Sequence, residues 1–177
     1  MRNLIQTLVK QQNRIFELLQ VEERSIVNPP IDSMRLVELQ RWFSTQNCLL
    51  PDSYREFLLV CDGIPNFCVS YSLFGSLELL DVGYQGLLRN TVAGVAGRED
   101  GRDFPIVLIG YDKDTSTRVF FEGHHEPLLP NELVVLEGNP GDMAIHESFR
   151  ELLEFRIETN RLTLSHLADL LSGKVNE

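Results

Sequence analysis

No stretch of this 177-residue chain approaches the roughly 18 to 20 uninterrupted apolar residues that a membrane-crossing helix needs. The opening residues, Met1 to Gln6, lack the apolar run of a secretory signal, so a cytoplasmic location is expected. Cysteine is scarce as well. Cys48, Cys61 and Cys68 form no C-x-x-C pair, and three thiols cannot all pair within one chain, which fits a reducing compartment. There is no phosphate-binding glycine loop, no G-x-G-x-x-G and no G-x-S-x-G, so nucleotide, dinucleotide and hydrolase chemistry lack their local signals. No enzyme activity and no cofactor are expected. Repeats and low-complexity tracts are missing too.

Positive charge is in short supply. Sixteen Lys and Arg face twenty-six Asp and Glu, a formal net charge of −10. Residues 1–50 carry six basic and five acidic side chains, net +1, which leaves ten against twenty-one, net −11, for residues 51–177. A domain so biased repels nucleic-acid backbones and anionic lipid and attracts basic partners. Plain solubility is the alternative use of the same charge.

What is present is one domain's worth of alternating signals, with 43% hydrophobic content. Leu4, Leu8, Ile15, Leu18 and Leu19 predict an opening helix of about 18 residues, ended by Asn28-Pro29-Pro30. Asp32 or Ser33 can cap a second helix running to about Thr45, with Leu36, Leu39, Trp42 and Phe43 on its buried side. Residues 50–63 read as a third. Pro51 fits the first turn, Asp52 and Glu56 suit the positive end of the dipole, and Tyr54, Phe57, Leu58 and Cys61 recur at helical spacing. Gly63 is expected to end it.

A strand is expected near Val69 to Phe74, and Leu77 to Leu80 fits either an edge strand or a short helix. Tyr84 to Val95 has helical spacing and leads into a charged loop at 98–103. Phe104 to Tyr111, Arg118 to Phe121 and Leu133 to Leu136 are strands by composition, the first two joined as an antiparallel hairpin. Gly138 to Gly141 reads as a loop. Ser148 and Glu151 form a capping box for a closing helix that buries Phe149, Leu152, Leu153 and Ile157, and a separate last helix is expected at 163–173. The predicted class is α+β, a mainly antiparallel sheet flanked by helices, with an extra N-terminal helix.

The segment from Leu50 to Gly63 resembles the first signature of the SUKH superfamily. That group spans bacterial immunity proteins against secreted toxins and fungal regulators of cell-wall synthesis. Further matches follow in the family's order: the preceding helix, the turn at Leu73-Phe74-Gly75, the strand pair over 104–112 and 117–122, and the closing helix from Ser148 to Leu153. The likeness covers about residues 36–158. One departure is the polar turn Asp112 to Ser116, where family members often place glycine. On this likeness the chain divides into a helical extension, 1–30, and a SUKH-like domain, 31–177.

The resemblance implies a protein that binds and neutralises a cognate secreted toxin by occluding it. An intracellular scaffold for an endogenous enzyme is the alternative. The acidic domain suits a toxin with a basic surface, such as a nuclease, and neither nucleic acid nor membrane is an expected partner. Glu147, Glu151, Glu154 and Glu158 recur at four, three and four residues and would stack along one side of the closing helix. They form a candidate docking stripe, joined by Asp112 and Asp114 on the hairpin turn. Arg150 would partly neutralise it through Glu154, and a merely solvated helix face is the alternative.

Metal sites are poorly supplied. The neighbouring His124 and His125 point to opposite sides of an extended segment. His146-Glu147 opens like a zinc-protease helix but has Arg150 where the second histidine belongs. Asp112, Asp114 and Ser116 start a calcium loop that lacks its glycine and its closing glutamate.

Overall fold

The computed structural model describes residues 1–46, 48–68, 71–84, 86, 106–112, 117–122, 134–139 and 142–173. Among these, no helix is long and apolar enough to cross a membrane. The helices bounded at both ends among the described residues are α1 (Arg2–Leu18), α2 (Ser33–Thr45), α3 (Asp52–Leu58), α4 (Ser76–Leu79) and α5 (Phe149–Leu171). The strands β1 (Tyr71–Leu73), β2 (Ile106–Asp112), β3 (Arg118–Glu122), β4 (Val134–Asn139) and β5 (Asp142–His146) form one antiparallel sheet in sequence order. This is an α+β domain with helices against an antiparallel sheet.

Local chemistry accounts for the helix starts. Asp32 caps α2 by accepting from the Arg35 N–H at 2.9 Å. Pro51 sits in extended geometry as the N-cap of α3, one position before the helical turn expected for it. That helix closes at Leu58, so Gly63 does not end it. Gly63 takes its left-handed φ of 96° further on, where a Cβ would lie 2.9 Å from the Gly75 nitrogen.

Two turns of α3 bury Tyr54, Phe57 and Leu58 completely, and Cys61 follows them inside. The Tyr54 ring stands 5.3 Å from Phe121 of β3 and 4.9 Å from Phe149 of α5, centroid to centroid. Its hydroxyl donates to the Phe74 carbonyl at 2.6 Å. Each such ring contributes about 1.5–3 kcal/mol by leaving water, and each edge-to-face pair about 0.5–1.5 more. The α3 segment is therefore the hub between sheet and closing helix.

Several expectations shift. The region 76–79 is a helix, settling the choice left open at Leu77 to Leu80. Residues 82–84 and 86 are helical, whereas the rest of the helix expected to Val95 and the loop at 98–103 lie outside the described residues. Of the loop expected at 138–141, Gly138 and Asn139 belong to β4, since Asn139 faces Asp142 and a fifth strand follows, while 140 and 141 lie outside the described residues. The two closing helices are one. Thr159 and Thr163 return their hydroxyls to carbonyls four residues back, at 3.0 Å each, a contact that slightly weakens a helix, so packing against α1 is what keeps the stretch helical. Helix α1 packs along α5 and buries Ile5, Leu8, Gln12, Ile15 and Phe16, while Leu19 is exposed.

Candidate functional site: an acidic helix face beside an open sheet edge

Strand β5 runs directly into α5, and the junction decides where the predicted carboxylates stand. Ser148 is the N-cap, its Oγ accepting from the Glu151 N–H at 3.2 Å. Glu151 reaches back to the N–H of Glu147 at 2.5 Å, one residue earlier than a capping box would place that bond. Glu147 thus precedes the helix and is no member of its face. Glu151, Glu154 and Glu158 do share the outer face of α5, and all four carboxylates are exposed.

The arginines nearby are mostly engaged elsewhere. Arg150 does not neutralise Glu154; it reaches Glu56 of α3 at 2.7 Å. Arg156 lies with its guanidinium 6.0 Å from the centre of the Tyr71 ring. Arg161 takes Glu158 through two bonds of 2.9 and 2.5 Å. Hydrogen bonding by Arg161, then its charge, holds the Glu158 carboxyl below the usual range. At a fully solvated site that pair adds little to stability. Among the described residues, no cation is paired with Glu147, Glu151 or Glu154.

The hairpin acids do not extend this surface. Asp112 is buried, 7% exposed, in register with Tyr71, and its N–H donates to the Thr117 carbonyl at 2.9 Å. It belongs to the closure of the β2–β3 pair, which corrects its assignment to a docking stripe. Asp114 lies outside the described residues, as do His124 and His125.

His146 is buried at the end of β5, its ring 5.2 Å from that of Phe155 on α5. It is not on a helix, which disposes of the zinc-protease reading on geometry as well as sequence. No group of three His, Cys, Asp or Glu side chains among the described residues is placed to hold a metal. An open depression of about 510 Å³ is lined by Phe74, Leu77, Glu78, Asp81, Gly83 and Tyr84. Its carboxylates serve their own backbone: Glu78 accepts from the Gly75 N–H at 2.9 Å and Asp81 from the Gly83 N–H at 2.6 Å. The Tyr84 hydroxyl donates to the Leu108 carbonyl at 2.7 Å, and burial pushes its pKa up, so it is a poor proton donor to anything in the depression.

The sequence reading missed β5 and with it Ile145, which is 69% exposed. The available signal was the Pro140-Gly141 dipeptide, turn punctuation between β-compatible runs. No protein-family model matches this chain, and no curated protein matches it.

Proposed function

We propose that this chain is an immunity protein of the SUKH type, which binds a cognate secreted toxin in the cytoplasm and neutralises it by stoichiometric occlusion. What carries the reading is the ordered set of motifs; of these, 50–63 and 71–75 are neighbours in space, the Tyr54 hydroxyl donating to the Phe74 carbonyl at 2.6 Å. The Asp62 carboxylate accepts from the Ser76 N–H at 2.6 Å and from its hydroxyl. The function follows from the resemblance. The outward carboxylates Glu147, Glu151 and Glu154 add a surface that suits a basic toxin, where charge speeds encounter and a few desolvated anchors set affinity.

Co-purification with the product of the neighbouring gene, followed by growth rescue from that product, tests the role directly. A neighbour that is no toxin, together with capture of an endogenous enzyme, would favour the regulatory scaffold instead. Substituting Glu151, Glu154 and Glu158 with Lys together should weaken binding by roughly 1–2 kcal/mol, about five- to thirtyfold in Kd, and flatten its salt dependence. Unchanged affinity removes this face from the interface.

A further inference from the structure

We propose that the outer edge of β5 receives an extended, basic segment of the partner as a sixth strand of the sheet. The partner's charge rests on the function proposed above; the mode of binding rests on backbone geometry. Asn139 faces Asp142 with two residues between them, so this closing pair exchanges both of its hydrogen bonds, as do Glu137 with Ala144 and Val135 with His146. Met143 and Ile145 fall between these pairs. Their N–H and C=O groups therefore turn away from β4, to a side where no strand lies among the described residues.

The opposite edge of the sheet is not equivalent. Beyond β1, Ile64 and Leu73 exchange backbone bonds of 2.9 and 3.1 Å, which closes that side. Edge strands are ordinarily blunted by charge, proline or a bulge, whereas Ile145 offers an exposed β-branched side chain at the middle of the outward backbone.

Side-chain placement sets the chemistry of the occupant. His146 points to the face where α5 lies, against Phe155, which is 47% exposed. Glu151, Glu158 and Leu162, at four before and three and seven after Phe155, share its side of the helix. Ile145, one residue from His146, points to the other face. A strand added outside β5 would present alternate side chains to these two environments. Lysine or arginine fits the α5 side, its stem over Phe155 and its head at the carboxylates, and an apolar residue fits beside Ile145. A second copy of this chain is the wrong occupant: antiparallel pairing of two β5 edges puts both α5 helices on one face and sets like charges together, in a chain of net charge −10.

The test uses the full chain and a synthetic peptide of about eight residues alternating Lys and Val, a typical strand length. Calorimetry should show binding that weakens about tenfold or more between roughly 50 and 300 mM NaCl. At saturation the amides of Met143 and Ile145 should exchange with solvent about tenfold more slowly, with those of Ala144 and His146 unchanged because the β4 ladder already holds them. The same peptide with alternate backbone nitrogens methylated should not bind, and Ile145→Pro, which deletes an outward N–H, should abolish binding by the unmodified peptide. Salt-sensitive binding without slowing at Met143 and Ile145 overturns the strand mode while leaving capture of a basic partner intact. Equal binding of a Glu-Val peptide, or no binding of either at millimolar concentration, overturns the proposal, as does self-association of the chain that protects the same two amides without peptide.

Discussion

Asp62 is the residue whose role is least visible from its neighbours in the chain. Gly75 stands at the N-cap of α4 and has no side chain to cap with, so the acceptor for the Ser76 N–H is Asp62, fourteen residues before that serine. Asn28 holds the same corner, its side-chain amide donating to the Asp62 carbonyl at 2.9 Å. The close approach explains Gly63 and Gly75 alike. A Cβ on Gly75 would lie 2.2 Å from the Asp62 carbonyl oxygen and 2.4 Å from its carbon, atoms of backbone that no rotamer change can move. Gly75→Ala should therefore cost about 3 kcal/mol or more, lowering Tm by roughly 6–12 °C. Gly86→Ala, with nothing within 4 Å of its new methyl, should leave Tm unchanged or slightly raised. Equal Tm for the two variants in a thermal melt would contradict the packing described for Asp62.

Among elements, the helices were the most legible and their faces less so. Apolar spacing located α1 to within a residue or two, yet it favoured Leu18 and Leu19, and the structure buries Phe16 and exposes Leu19. The reason is geometric. Which apolar residues go inside depends on where α5 lies, and that partner is more than a hundred residues away. Phe16→Ala should cost about 3–5 kcal/mol, and Leu19→Ala no more than about 0.5. Urea unfolding of the two variants reads the difference, and the reverse order would mean that α1 turns another face to α5. The same packing of α1 against α5 explains why Thr159, Asn160 and Thr163, weak helix formers by themselves, did not break the closing helix. Arg150 could not be paired by spacing alone for a parallel reason: α3 brings Glu56 to it, and that carboxylate is taken in place of Glu154 one turn on.

For the whole molecule, burial of ionisable groups makes folding sensitive to alkali. Burial pushes the Cys48 thiol from its ordinary 9.0 up to about 11 and the Cys61 thiol to about 12, the latter helped by the neighbouring Asp62 charge. The hydroxyls of Tyr54 and Tyr84 are pushed up for the same reason. Above pH about 9 the unfolded chain releases these protons while the folded chain keeps them, so the unfolded state binds fewer protons and stability falls as pH rises. The loss should continue to about pH 11–12, where the folded thiols ionise too. Cys61 alone should approach a slope of about 1.4 kcal/mol per pH unit between its two values. Urea midpoints measured from pH 8 to 10.5 should fall steadily, and Cys61→Ala should flatten that fall; an identical slope in the variant would show that the Cys61 thiol does not contribute to it.

The α+β class, the positions of most helices, the β2–β3 hairpin, the acidity of residues 51–177 and the apolar side of α3 could be read along the chain, because each is a matter of local period, capping or composition. Which carboxylates share a surface was fixed by the assembled fold. It placed Asp112 inside and Glu147 ahead of the helix, drew Arg150 to α3, and left the β5 edge beside Phe155. Those outcomes depend on contacts between residues far apart in the chain, and spacing along one segment carries no information about what another segment brings to it.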